Sequence, residues 1–419
     1  MATHSNHEKA FEVLTADVAQ LQHLLETGTV SSEDIVTKYL DQIDKHNVEG
    51  MKLRALISVA PRDKVLQQAR TLDAERKSHG SRGPMHGIPI IVKLLEAGMI
   101  IIGKASLSEL ALKKDSPPLV GGWSSMGGQG QSPNVRGGVL PNATFLRRST
   151  PTGSSSGSAM AVISKYMLRD RWLDCRAGFT ALFSLKPTVG TGALKGSMPG
   201  GCESFDVHGG MARTAKGLAD ITGIFRHLGS LKWSKASTGR PYGLPPDFDE
   251  FHDAHALQYR EMDEAAARIL TAGGRVVRDI PLMNIYEIGK EPGGDQPDNL
   301  LTHDFRAKFN EFLQGYEEAP VRSLKELIEY HKEHADVCLP PEHPGQKRLE
   351  ALESASPDPE YFNKSGFVRR KAIAVVAGAL RAHNVDVIVS LADARIASLA
   401  ATAGIAVGTL PVGFVDFNG

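Results

Sequence analysis

Residues 86 to 93 read His86-Gly-Ile-Pro-Ile-Ile-Val-Lys93, and residues 153 to 159 read Gly153-Ser-Ser-Ser-Gly-Ser-Ala159. The first stretch is an apolar run ending on a lysine, which predicts a buried strand, Ile88 to Val92, that presents an amine at its end. Burial there lowers an amine's pKa toward the neutral, proton-accepting form. The competing reading is a lysine whose ammonium reaches solvent along its alkyl stem. The second stretch is a Gly/Ser turn entering a helix, so its N–H groups and hydroxyls can converge on an oxyanion or a phosphate. A flexible loop with Ser158 as helix N-cap explains the same residues. Upstream, Gly121-Gly-Trp-Ser-Ser-Met-Gly-Gly-Gln-Gly-Gln131 is a second glycine-dense turn region, suited to close backbone approach to a ligand. Neither glycine-rich stretch continues into Gly-Lys-Ser or Gly-Lys-Thr, which excludes a Walker loop.

Outward from these stretches the pattern alternates helix and strand. A helix opened by Thr15 or Asp17 stops at Gly28, and a second, opened by Ser31 and Ser32, buries Ile35, Tyr39, Leu40 and Ile43. Leu53 to Val59 is strand-like, and Pro61 starts a helix carrying Val65, Leu66, Ala69 and Leu72. After a Gly/Pro loop comes the strand ending on Lys93, then a second apolar run, Met99 to Ile102. Ser106 and Glu109 have the spacing of a capping box for a helix through Leu110 and Leu112. Residues 117 to 158 lack apolar periodicity and are rich in Gly, Ser, Pro and Asn, a composition that places the chemistry there. Beyond them the pattern predicts a helix from Ala159, a strand at Ala181 to Leu185, helices at Thr214 to Leu228 and Ala254 to Ala272, strands at Val276 to Ile280 and Val385 to Leu391, and a last run from Ile405 to Val412. This is α/β grammar: a mixed, twisted central sheet covered by helices on both faces. The chain reads as a single domain over 1–419, with a helical insertion at 289–365 shaping the substrate mouth and a C-terminal part at 366–419.

The 48 basic and 48 acidic residues balance and are interspersed, so no basic stripe points to nucleic acid. A small molecule is the expected partner. Three widely spaced cysteines, Cys175, Cys202 and Cys338, fit a reducing compartment, and the polar N-terminus lacks the apolar core of a signal peptide. With no apolar stretch long enough to span a bilayer, the expectation is a cytoplasmic protein. His331, His334 and Cys338 have helical spacing compatible with a zinc site, yet Lys and Glu flank them and no fourth ligand is near, which favours a solvated helix face. Asp206 and His208 are candidate partners for a serine, with nothing in the sequence to set their geometry.

Taken in order, Gly87-Ile-Pro-Ile-Ile-Val-Lys93, Gly103-Lys-Ala-Ser-Leu-Ser-Glu-Leu110, Gly127-Gly-Gln129, Gly153-Ser-Ser-Ser-Gly-Ser-Ala159, Leu185-Lys-Pro-Thr-Val-Gly190 and Gly209-Gly-Met-Ala-Arg-Thr214 resemble the amidase signature family, fungal members similar to peptide amidases in particular. The resemblance runs from Ala16 to Gly419. It implies the amidase-signature α/β fold and hydrolysis of a carboxylic amide by a Ser-cisSer-Lys triad without metal or cofactor. By motif, Lys93 is the lysine and Ser154 the bridging serine, with Gly127, Gly128, Gln129, Gly153 and Ser155 around the substrate.

The chain departs from the family pattern at three places. The nucleophile belongs about two dozen residues after Ser154, but no serine occurs between Ser164 and Ser184, and Cys175 is a speculative substitute only. Only the six residues Lys93 to Gly98 join two strands that the family links through a long loop and helix, too few for a crossover with its helix, so a change of local topology is expected. Finally, Asp416-Phe-Asn-Gly419 is a hairpin-turn signal with no returning strand, which leaves a sheet edge uncovered. Each loss is abrupt, so the fold is expected to be incomplete, and a catalytically inactive amidase-fold protein with a binding or scaffold role is the alternative function.

Overall fold

A computed structural model describes residues 16–91, 98–115, 121–133, 139, 151, 153, 155–163, 182–190, 205, 207, 209–226, 236–238, 252–391 and 396–412. The N-terminal part runs α1 (Val18–Glu26), α2 (Ser32–His46), β1 (Leu56–Val59), α3 (Arg62–His79), β2 (Pro89–Ile90), β3 (Ile100–Ile101) and β4 (Gly103–Ala105). The middle contributes β5 (Trp123–Ser124), β6 (Gly128–Gln129), α4 (Ser156–Ile163), β7 (Phe183–Lys186), β8 (Gly210–Ala212), α5 (Ala215–Arg226) and β9 (Ala236–Thr238). A helical stretch follows: α6 (His252–Thr271), α7 (Ile285–Lys290), α8 (Pro297–Thr302), α9 (Phe305–Gln314), α10 (Leu324–Glu333), α11 (Ala335–Cys338), α12 (Lys347–Ser354) and α13 (Tyr361–Ala382). Then β10 (Val387–Val389), α14 (Ile396–Ala403) and β11 (Val407–Thr409) complete the described elements.

The first helices form where local chemistry directs them. Asp17 with Gln20, and Ser31 with Asp34, make reciprocal capping boxes, each satisfying two of the N–H groups that a helix start leaves open. The Asp73 carboxylate on α3 accepts from the Ser32 and Glu33 N–H groups at 2.7 and 3.2 Å, which fastens α3 to the start of α2. The predicted stripe of α2 is buried: Ile35, Leu40 and Ile43 are at most 1% exposed, and burying each such side chain contributes roughly 1.5–3 kcal/mol. Asn47 then orients β1, its buried amide bonding the Leu56 carbonyl and N–H, both at 3.0 Å.

Among the described residues the strands pair in five small sheets. The β1–β4 and β5–β6 pairs and the three-stranded β11–β7–β8 sheet are antiparallel, whereas β2–β3 and β9–β10 are parallel. The mixed α/β character holds, distributed over several ladders. One apolar cluster joins α1, α2 and α3 to β2, β3 and α4; a second joins α7, α13 and α14.

Four expectations are corrected here. Pro89 pairs with Ile100 and Ile90 with Ile101 in parallel, so the short connection preserves parallel order. Ser106 and Glu109 form no capping box: Ser108 precedes a single 3-10 turn, Glu109–Leu112, in which Leu110, Ala111 and Leu112 have φ of 45°, 57° and 69°. A left-handed turn of L-residues costs roughly 1–2 kcal/mol per residue. Glu109 instead accepts from the Ser125 N–H and hydroxyl, both at 2.9 Å. Helix α4 starts at Ser156, so Ser158 lies inside the helix and does not cap it. Finally, 276–280 is irregular chain between α6 and α7; its β-branched residues find no strand partner among the described residues.

Candidate active site

The two glycine-rich stretches meet at the chain following β4. The Ser106 N–H donates to the Ala55 carbonyl at 2.8 Å, and the Ser106 carbonyl accepts from the Gly157 N–H at 3.0 Å. A Cβ on Gly157 would overlap the backbone of Ala55 and Ser106, so glycine is required by contact. On the other side, a Cβ on Gly127 would stand 2.7 Å from the Ser106 hydroxyl and 3.0 Å from that of Ser124. Ser106 is thus held between one glycine from each stretch.

Ser108 makes the second link. Its hydroxyl accepts from the Gly122 N–H at 2.7 Å and donates to the Gly153 carbonyl, joining both loops through one buried group. Gly153 itself has φ of 80°, a conformation glycine adopts without a Cβ penalty. The structure therefore gives Ser106 and Ser108 positions that sequence reasoning assigned to no site. The signal was present in Ala105-Ser-Leu-Ser-Glu109, two serines with one residue between them, but a capping reading absorbed it.

Of the residues expected around the substrate, Gly127, Gly128 and Gln129 lie together on the β5–β6 hairpin, and Gly153 and Ser155 are buried at the start of α4. The Gln129 amide donates to the Gly121 and Gly130 carbonyls, each at 3.0 Å, and Arg54 donates to the Gly127 carbonyl at 3.2 Å. The Gln129 amide nitrogen is thereby committed to the loop's own backbone. Lys93 and Ser154 lie outside the described residues, as do Cys175, Asp206, His208 and the 416–419 turn. Of the chain flanking Lys93 and Ser154, Ile88, Ile90 and Ile91 are buried, and so are Gly153 and Ser155.

Three buried hydroxyls, Ser106, Ser156 and Ser158, have no hydrogen-bond partner among the described residues. Around the first turn of α4 the site is therefore polar in composition but closed to solvent. A cavity touches Ile88 and Pro89 on the strand that leads to Lys93, Val162 in the last turn of α4, and Tyr39, Asp17 and Arg213. Burial pushes the Tyr39 phenol up to about 12, with the Arg213 charge opposing, so the phenol stays neutral and can donate.

His331, His334 and Cys338 do not make a metal site, and the solvated-face expectation is corrected as well. His331 and Cys338 face inward while His334 is exposed. The His331 Nδ1 pairs with the buried Gln346 side chain at 2.9 Å, so His331 packs inward while the adjacent Lys332, Glu333 and His334 face solvent. No cluster of His, Cys, Asp and Glu among the described residues can hold a metal ion.

No protein-family model matches the chain. A Schizosaccharomyces pombe protein named as an amidase is 25% identical over a match covering 76% of this chain and 63% of that protein, and an Arabidopsis thaliana protein so named is 24% identical, with coverages of 78% and 70%. The match thus spans less than two thirds of the fission-yeast relative. Among solved structures, an amidase family protein from Bacillus anthracis superposes with a TM-score of 0.80 at 22% identity, covering 98% of this chain and 87% of that one. Peptide amidase from Stenotrophomonas maltophilia gives a TM-score of 0.77 at 25% identity, with coverages of 96% and 91%.

Proposed function

We propose, from its likeness to amidases and to peptide amidase in particular, that the chain is an amidase signature hydrolase of carboxylic amides in which Lys93 is the base and Ser154 relays the proton. A serine hydroxyl attacks the amide carbonyl carbon as its proton passes through the Ser154 hydroxyl to the Lys93 amine. The tetrahedral oxyanion then collapses, the C–N bond breaks, and the departing amine takes the proton back. Water next attacks the acyl ester and releases the acid. A base of this kind must be neutral near pH 7, which the buried Ile88–Ile91 run favours by disfavouring charge beside it. No metal or cofactor is needed for these steps.

The observation that carries this reading is the Ser106–Ser108 junction. It locks Gly153 against Gly122 and Gly157 against β1 and β4, so the chain on both sides of Ser154 is fixed, as a relay requires. The peptide amidase likeness supports the substrate class, a small molecule bearing a non-peptide or terminal amide.

A second reading is favoured by one observation: 165–183 contains no serine. Loss of a nucleophile and its oxyanion donors removes many orders of magnitude of rate, leaving an amide-binding protein without turnover. Incubating the full chain with a panel of primary and aryl amides, with acid and amine quantified by mass spectrometry, separates the two. The hydrolase reading predicts equimolar acid and amine, abolished by Lys93→Ala. Saturable binding of an amide with no acid formed would establish the second reading.

A further inference from the structure

Lys114 is fully buried, and the sequence gives no hint of it beyond a Lys-Lys-Asp run. Its ammonium donates to the carbonyls of Cys338 and, at 3.3 Å, His343, and it lies 4.5 Å from the centroid of the Trp123 ring. Among the described residues, two carbonyls and one π face thus surround the ammonium. The His343 ring stacks on the same indole, with centroids 4.1 Å apart and a 32° tilt. Next along the chain, the Asp115 carboxylate accepts from the Lys347 N–H at 3.2 Å, and a Cβ on Gly345 would overlap that carboxylate. Residues 114 and 115 therefore grip the whole turn between α11 and α12.

On its other side, this grip reaches the substrate loop in one step. Trp123 is the cross-strand partner of Gln129, and Ser124 that of Gly128. Burial lowers the Lys114 pKa while Glu109, Cys338 and Asp115 oppose the shift, so the charge is held by its contacts and not by solvent.

We infer that Lys114 is a positioning residue, which clamps the α11–α12 turn to the Trp123 indole and thereby sets where Gly127, Gly128 and Gln129 stand in the amide cleft. The inference rests on the reading of those three residues as substrate-facing. Through Lys114 the helical stretch governs substrate affinity without touching the substrate.

The test uses the full chain carrying Trp172→Phe and Trp233→Phe, which leaves Trp123 as its only indole. Lys114→Met is expected to shift the Trp123 emission and raise its acrylamide quenching constant on the order of threefold, while Lys114→Arg, which keeps a cation for the ring, restores most of the parent signal. Where the Met variant does not fold, Lys114→Gln gives the same readout, because it keeps a donor for the carbonyls and removes the charge. With an amide that the parent hydrolyses, Lys114→Met is expected to raise KM about tenfold and change kcat less than about threefold. Trp123→Leu should do the same, and the double variant no more than either single one, because both act through one contact.

Unchanged Trp123 emission and quenching in a folded Lys114→Met or Lys114→Gln protein would overturn the inference, as would multiplicative KM effects in the double variant. If the parent hydrolyses no amide, the hydrolase reading fails on product analysis while the emission arm still decides the placement of Lys114.

Discussion

At Gly157 a side chain would meet the backbone of Ala55 and Ser106, which cannot swing away as a flexible side chain would. Gly157→Ala should therefore cost about 1–3 kcal/mol by overpacking, read as a lower urea midpoint with an unchanged slope. The neighbouring Ser108→Ala change removes the hydroxyl that accepts from Gly122 and donates to Gly153, leaving both backbone groups buried without that partner. A loss of about 1–3 kcal/mol is expected from the unsatisfied groups, together with a fall in any amide turnover, measured on the same preparation. How much of this was legible in the sequence differs residue by residue. The glycines at 127, 128 and 153 announce close approach because nothing else accounts for their density. Ser106 and Ser108 announce nothing, since a serine that bridges loops and a serine that caps a helix look alike until the partner is known. Lys114 was hidden for the same reason: its partners, Cys338 and His343, lie more than 200 residues away.

Helix starts and stripes were the most legible elements, because a cap and a 3.6-residue period are both local. Ser31 is an example, and Ser31→Ala should lower stability by about 1 kcal/mol by opening the start of α2, detectable as a shift in the thermal transition. What the sequence hid was the conformation of 109–112, where the local pattern favours a right-handed helix and the Glu109 bonds to Ser125 override it. The run at 276–280 misled for the complementary reason, since β-branched composition signals a pleated surface that only a partner strand can provide. The α10–α12 elements also carry a pH dependence. Burial lowers the pKa of both His331 and His343 below the usual 6.5, with the Lys114 charge pressing the same way and Glu109 and Glu342 opposing it, and the Gln346 bond raising His331. Folded imidazoles thus resist protonation that unfolded ones accept, so the unfolded state binds more protons as pH falls below 6.5 and stability is lost in that direction. Urea midpoints should fall from pH 7 toward pH 5.5, and His343→Asn should flatten that limb. A midpoint that rises on acidification would contradict the burial of these rings as neutral groups.

At the scale of the whole molecule, closure is long-range. The β11–β7–β8 sheet brings 407–409 beside 183–186, and β9–β10 brings 387–389 beside 236–238, pairings that no local period encodes. The α/β class was readable because alternation of elements is itself a sequence property. Which strands pair was not, and the parallel β2–β3 pairing at a short connection ran against a rule derived for full crossovers. No helix among the described residues is long and apolar enough to cross a membrane. The proposed function rests on ordered motifs, on the loop junction that fixes Gly153 and Gly157 on either side of Ser154, and on likeness to amidases, set against the absence of serine from 165–183. The most direct test is fluorophosphonate labelling of the purified full chain, with the adduct located by peptide mass spectrometry. The account predicts stoichiometric modification of a serine, lost in Lys93→Ala and in Ser154→Ala variants that keep the parent's thermal transition. Folded parent protein that takes up no label, or label that persists in both variants, would contradict it.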